Sequence, residues 1–188
     1  IPASRTVSVV TSQAISAGQS IVLAVAINRA DAPDLVASGP AGVVWSTLGG
    51  NKSESRDRSV LLLRGRASQN LASGASIQLA FGLVESSRNA CVLGLRFSSF
   101  IDGGAATATD GQALGVAADV PTVTGKNSVQ TAMGIAAFVF DANTGVMTTS
   151  PGAISDGGAC NAALDLCLRV AHQGDVSGAV DIGNTPTT

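Results

Sequence analysis

A single histidine, His172, is the residue of this sequence best suited to proton transfer near neutral pH. Asp175 follows it closely, and a distant serine, Ser46 or Ser98, would complete a Ser-His-Asp set of the kind that hydrolases use. The Gly-x-Ser-x-Gly motif, which holds a nucleophilic serine on a sharp turn, is absent. The structural alternative for His172 is a polar residue at a strand end beside a glycine turn. We favour that alternative and predict no catalytic residues and no enzymatic activity.

Three cysteines are the next candidates for covalent or metal chemistry. Cys91 lies at an alternate position of an apolar run, where a cysteine is usually a small buried side chain. Cys160 and Cys167 could form one disulfide, but the sequence alone leads us to prefer free thiols. Their spacing fits no zinc-binding pattern, and the chain has one histidine, so we predict neither a metal nor a cofactor.

Three Asp-Gly segments resemble the beginning of a calcium-binding loop. The segment 141–145 lacks the second acidic or amide ligand and the distal glutamate of an EF-hand. Asp102-Gly103-Gly104 and Asp156-Gly157-Gly158 have the same deficiency. Asparagine and glycine are also the residues that tolerate the backbone of a β-turn. We therefore predict turns at these three places.

Trp45 is the only tryptophan, and tyrosine is absent. Sugar-binding modules often stack a sugar ring on an exposed aromatic side chain, so Trp45 is the candidate ligand contact if the chain binds a glycan. It lies within the apolar segment Val43-Val44-Trp45, which favours a role in packing. We therefore predict a packing role for Trp45, and a ligand contact only under the alternative function of glycan binding.

Four arginines stand close together between residues 56 and 66. On an extended strand, Arg58, Arg64 and Arg66 would project from one side, together with Val60 and Leu62. One interpretation is a solvated edge strand that charge keeps soluble. The other is a contact with an acidic neighbouring subunit, and we give the two equal weight.

The composition excludes several classes of partner. The chain has 188 residues, of which 45% are hydrophobic, 3% aromatic and 13% charged, and its net charge is -2. Because average domains carry about 25% charged residues, the surface must be rich in small neutral side chains. The basic residues are too few and too scattered to bind a phosphate backbone, so we predict no nucleic-acid partner. No apolar run approaches the ~20 residues of a membrane-spanning helix, so we predict no membrane partner.

One sequence pattern occurs three times: a polar turn that contains glycine, followed by a run in which every second residue is apolar. The copies are Gly18–Ala24, Gly74–Ala80 and Gly125–Ala132. Alternation with a period of two is typical of a strand with one buried face, and it predicts a row formed by Ile21, Leu23, Val25 and Ile27.

The rest of the chain repeats this pattern of strands and turns. The polar segment Gly49–Asp57 is predicted to be an exposed loop, and Asn161–His172 shows the clearest alternation. The run Ser128–Phe140 is apolar on both faces, which favours a central strand shared by the two halves of one domain. The segment 183–188 is expected to be a frayed tail.

The fold class is therefore all-β. Roughly eleven or twelve short strands without a helical period predict an antiparallel β-sandwich, with a jelly-roll-like arrangement. We expect a single domain over residues 1–188, in which a bridge near 103–111 separates two halves. Two smaller immunoglobulin-like sandwiches joined at that bridge are the alternative.

The order of these segments resembles the β-sandwich domains of tailed-phage virion proteins, especially decoration and minor tail proteins. The segments that carry the resemblance are Ala17–Ala26, Gly39–Ser46, Leu61–Gly65, Ser73–Phe81, Phe97–Asp102 and Asn127–Val129. The resemblance implies a non-enzymatic, multi-copy structural role with no catalytic residues.

We accordingly predict a virion structural protein, either capsid decoration or tail-associated, that acts through subunit packing. Its partners would be copies of itself, in a homo-oligomer, and other virion or shell proteins. The alternative is a glycan- or partner-binding module of a bacterial surface protein, which would be extracellular or at the cell surface.

Overall fold

The computed structural model describes residues 6–27, 35–53, 58–81, 90–97, 122–124, 132–140, 146–149, 154–161, 166–176 and 181–187. These residues form β-strands only, and every pair of neighbouring strands is antiparallel. The strands are β1 (Thr6–Val10), β2 (Ser20–Ile27), β3 (Leu35–Ser38), β4 (Val43–Ser53), β5 (Arg58–Ala67), β6 (Ser76–Phe81), β7 (Ala90–Phe97), β8 (Thr122–Thr124), β9 (Ala132–Phe140), β10 (Val146–Thr149), β11 (Ile154–Asn161), β12 (Leu166–Val176) and β13 (Asp181–Thr187). The prediction of an all-β chain is confirmed for this part of the sequence. Within it, no helix is present that could cross a membrane.

The strands are arranged in four sheets. A four-stranded sheet has the order β4-β5-β2-β7. The three-stranded sheets have the orders β1-β6-β3, β11-β12-β9 and β10-β13-β8. The predicted bridge near 103–111 lies outside the described residues, so the division of the chain into halves stays a prediction.

Two of these sheets share one continuous ribbon of two antiparallel strands. In the first sheet β1 pairs with β6 from Thr6↔Ala80 to Val10↔Ser76. The same register continues through an isolated bridge, Ile15↔Leu71, and then through the pairing of β2 with β5. The ribbon formed by residues 6–27 and 59–80 therefore leaves one sheet and enters the next without a change of register.

The ribbon changes sheets at a corner with local twofold symmetry, formed by residues 11–19 and 67–75. Gly18 N–H donates to Ala67 O at 2.7 Å, and in the equivalent position Gly74 N–H donates to Thr11 O at 2.7 Å. Gly18 and Gly74 have φ of +85° and +83°, a left-handed conformation that favours glycine. The first two copies of the repeated pattern are thus the two equivalent turns of this corner. Residues 125–131 of the third copy lie outside the described residues.

The first hydrophobic cluster lies between the four-stranded sheet and the β1-β6-β3 sheet. The predicted row of β2 (Ile21, Leu23, Val25 and Ile27) faces this cluster and is buried, as are Ile77 and Leu79 of β6. Ile15 and Leu71, the bridge residues of the corner, close one end. The alternation predicted for β2 and β6 is confirmed.

A second cluster covers the opposite face of the four-stranded sheet. Ala24 and Ala26 of β2 contact three fully buried residues of β12 there, Leu166, Leu168 and Val170. Because β2 has a cluster on each of its faces, every residue of β2 is buried. Strand β9 contributes partly buried residues to the second cluster and pairs with β12, whereas 128–131 lie outside the described residues, so the prediction of a shared central strand over 128–140 stays a prediction.

Two predictions of local structure are wrong. The segment predicted to be a loop from Gly49 continues β4 as far as Ser53, because its backbone pairs with β5 as far as Ser53↔Arg58. Residues 183–187 of the segment predicted to be a tail belong to β13, which pairs with β8 and β10. In both cases backbone pairing with another strand defines the strand, and the local polarity of the segment does not show that pairing.

Candidate functional site

His172 and Asp156 form a pair between neighbouring strands, at the end of the second hydrophobic cluster. His172 Nδ1 lies 2.7 Å from Asp156 Oδ1 and 2.8 Å from Oδ2. The two side chains are 23% and 15% exposed, respectively. The carboxylate can therefore hold the imidazole ring in one orientation, as the acidic residue of a catalytic triad does.

A β-bulge brings Asp156 to this position. Ser155 pairs with Ala171 and Gly157 with Val170, so Asp156 is the extra residue in β11. Gly157 has a φ of +114°, which a residue with a side chain rarely adopts. Bulges re-aim side chains, and this one turns the Asp156 carboxylate toward His172. The predicted turn at Asp156-Gly157-Gly158 is thus wrong, because these residues lie inside a strand.

The remaining members of the predicted hydrolase set do not join this pair in the part of the chain that the structure describes. Ser46 lies on β4 in a different sheet, opposite Arg64. Ser98 is outside the described residues, and Asp175 is described only as part of β12. Sequence reasoning paired His172 with Asp175 and missed Asp156. The signal that could have indicated a bulge was the Asp156-Gly157 step between two alternating segments.

Cys160 and Cys167 form a disulfide, so the preference for free thiols is wrong. The two residues are register partners in the β11–β12 hairpin, with their Cα atoms 4.1 Å apart. Cys160 is exposed, whereas Cys167 is 1% exposed. Among the described residues, no three His, Cys, Asp or Glu side chains are grouped so that they could hold a metal ion.

The three predicted contact arginines all lie on β5, but in different surroundings. Because β5 pairs with both β4 and β2, the interpretation as a solvated edge strand is wrong. Arg58 and Arg64 are 9% and 4% exposed, and Arg64 Nε donates to the buried Ser20 Oγ at 3.3 Å. Arg66 is exposed. The subunit contact through Arg58, Arg64 and Arg66 stays a prediction, and Arg66 is the one of the three that is exposed.

Trp45 is partly buried against the first hydrophobic cluster. Its indole Nε1 donates to Gly39 O at 2.8 Å. The ring also lies across Gly65, since a Cβ on that residue would be 2.8 Å from Trp45 Cη2. These contacts give Trp45 a packing role, while its role as a ligand contact stays a prediction.

The outer face of the β1-β6-β3 sheet and the adjoining corner loops, 11–19 and 68–75, form a surface without a charged residue. We call it the uncharged surface. Ser8, Val10, Val36 and Ser76 are exposed on its sheet. The segments that form it, 6–19, 35–38 and 68–81, contain no Asp, Glu, Lys or Arg.

Hydrogen bonds hold the uncharged surface in one conformation. On the sheet, Ser8 Oγ and Ser76 Oγ are 2.8 Å apart, and Gln78 Nε2 donates to both. In the corner, Ala17 N–H donates to Asn70 Oδ1 at 2.9 Å. Side chains that already have fixed partners lose little freedom when another molecule covers them.

Comparisons of the chain with protein-family models, with curated proteins and with solved structures gave no significant match.

Proposed function

We propose that this chain is a non-enzymatic structural protein of a virion, either capsid decoration or tail-associated, and that it acts through subunit packing. We also infer that the stacked sheets are part of a β-sandwich. The uncharged surface is the observation that carries the proposal. Interfaces between proteins are depleted in charged residues at their core, and this surface has none over three segments of the chain.

The proposal also takes support from how the polar groups are arranged. The hydroxyl and amide groups of Ser8, Ser76 and Gln78 already bond to one another. Such a surface presents shape and fixed hydrogen-bonding groups rather than a reactive cleft. The link to a virion comes from the resemblance of the segment order to tailed-phage proteins.

Purification of particles from a culture that produces the protein would test this proposal. We expect the chain to travel with the particles in a density gradient and to keep a fixed ratio to the major shell protein in quantitative mass spectrometry. Recovery of the chain only as a free protein in the cell extract, with none in the particle fraction, would contradict it.

A second candidate is a partner-binding module of a bacterial surface protein. The Cys160–Cys167 disulfide favours it, because disulfides persist mainly in oxidising compartments outside the cytosol. If a glycan is the ligand, an array should show saturable binding that Trp45→Ala abolishes. Trp45→Phe, which keeps an aromatic ring, is the matched variant and should retain part of the binding.

A further inference from the structure

Strand β1 is an edge strand without the features that usually prevent pairing between sheet edges. In the part of the chain that the structure describes, β1 pairs only with β6. Its sequence, Thr6-Val7-Ser8-Val9-Val10, has neither charge nor proline, and its pairing with β6 has no bulge. Charges, prolines, bulges and short length are the common means of protecting an edge.

Three other edge strands do have such protection. Strand β3 is only 4 residues long. Strand β4 has a bulge between Thr47 and Gly49. Strand β11 has the bulge that carries Asp156. The contrast marks β1 as an edge that is able to accept another strand.

The backbone of β1 is oriented for such pairing. Thr11 N–H, just after β1, donates to Ala75 O at 3.0 Å. Because backbone groups alternate in direction along a strand, Val7 and Val9 direct theirs to β6, and Ser8 and Val10 direct theirs to the side away from β6, on which no described strand lies.

The side chains of β1 are also incompletely covered. Val10 is 63% exposed. Val7 and Val9 face the first hydrophobic cluster but are only partly buried, whereas Ile77 and Leu79 of the adjacent β6 are 1% and 0% exposed. A strand placed beside β1 would remove apolar surface of Val7 and Val9 from water.

We propose that two copies of this chain pair through β1, antiparallel to one another, so that their β1-β6-β3 sheets join into one continuous sheet. This inference rests on the proposed function, since it names a second copy as the partner for the β1 edge of the uncharged surface. Antiparallel pairing of two identical strands obeys a twofold axis, the commonest symmetry of homo-oligomers. A surface without charge does not repel its own copy.

The extent of the uncharged surface fits a second copy. A standard interface involves about 20–30 residues on each side. Five residues of β1 are too few alone. The loops 11–19 and 68–75, which adjoin the end of β1 and also carry no charge, supply the remaining contacts, while the outer face of the joined sheet stays uncovered.

Two matched variants of the full chain test this pairing. Ser8 and Ser38 both lie opposite Gln78, on the same exposed face, but Ser8 is on β1 and Ser38 on β3. We expect the unmodified protein to form a reversible dimer in sedimentation equilibrium. Ser8→Lys would place like charges beside each other in the pair and should raise the dimer dissociation constant at least about tenfold. Ser38→Lys should leave it within about twofold.

A second variant distinguishes loss of pairing from loss of folding. Ser8→Pro removes an N–H that is directed to the open side, so the sheet keeps its own bonds while pairing is blocked. It should weaken the dimer as Ser8→Lys does. Circular dichroism and thermal unfolding should show both variants folded.

Several outcomes would overturn the inference: a monomer at every concentration tested, a dimer that Ser8→Lys and Ser8→Pro leave unchanged, or association only with a different protein. A monomer that is nevertheless found in particles would overturn β1 pairing and leave the proposed function standing. A β1-dependent dimer that never enters particles would support β1 pairing and overturn the proposed function.

Discussion

Trp45 lies across the backbone of Gly65, its register partner on the neighbouring strand. A Cβ on residue 65 would be 2.7 Å from Val43 Cγ1 and 2.8 Å from Trp45 Cη2. The indole is also fixed from its other end by the hydrogen bond to Gly39 O. The absence of a side chain at Gly65 is therefore what allows Trp45 to pack closely over the edge of the first hydrophobic cluster.

The substitution Gly65→Ala should destabilise the chain by about 1–3 kcal/mol, because the added methyl group forces Val43 and Trp45 to move. Urea unfolding followed by circular dichroism would measure the loss. In a Trp45→Ala background the same substitution should cost less, since the ring is gone. An equal cost in both backgrounds would show that the indole does not limit the space at residue 65.

The disulfide between Cys160 and Cys167 gives a prediction that thiol counting can check. The chain has three cysteines, so the oxidised protein should expose one reactive thiol per chain when unfolded without reductant, and the reduced protein three. Removing the cross-link that closes the β11–β12 hairpin should lower the free energy of unfolding by about 2–3 kcal/mol.

The paired variant Cys160→Ser/Cys167→Ala is suited to that measurement, because it places the hydroxyl at the exposed position and the methyl group at the buried one. Cys91→Ala should leave the thiol count of the unfolded, oxidised chain at zero. Three reactive thiols in the protein as first purified would contradict the disulfide.

The His172–Asp156 pair should contribute to stability through its hydrogen bonds. Asp156→Asn should destabilise the chain by about 1–2 kcal/mol, since it weakens bonds to a partly buried ring. A double-mutant cycle with His172→Gln would show coupling between the two substitutions. Ser155→Ala, at the exposed position before the bulge, is the matched control and should have little effect. Additive effects of Asp156→Asn and His172→Gln would contradict the pair.

Local sequence patterns were sufficient to predict the strands that have one face in a cluster. β2 and β6 both begin after a glycine turn, and their alternating residues face the first cluster as expected. The reason is that a turn and a period of two are properties of neighbouring residues. The face that Ala24 and Ala26 present was less informative, because a methyl side chain buries little apolar area and marks a buried face only weakly.

Features that depend on which residues pair between strands could not be predicted in the same way. The continuation of β4 to Ser53 depends on β5, and the burial of Arg64 depends on the sheets that surround β5. The disulfide follows from the register of the β11–β12 hairpin, which the spacing of Cys160 and Cys167 does not fix. Asp156 was missed for a related reason, since a bulge and a turn use the same residue types.

The twofold symmetry of the corner predicts that alanine at Gly18 and alanine at Gly74 destabilise the chain equally. Gly18 and Gly74 have nearly the same φ, equivalent hydrogen bonds and open space where a Cβ would lie. Replacing either with alanine should therefore cost the conformational strain alone, about 1–2 kcal/mol, and the two costs should be the same within error. Urea unfolding of the two single variants would measure both.

Asparagine at either position is the control, because it enters the left-handed region more easily than alanine and should cost less. The double variant Gly18→Ala/Gly74→Ala should lose the sum of the two costs if the turns act independently. If the destabilisation by Gly18→Ala and that by Gly74→Ala differ by more than about 1 kcal/mol, the two turns are not structurally equivalent. Equal losses in the free energy of unfolding would support the view that the repeated sequence pattern forms the same turn on both sides of the Ile15–Leu71 bridge.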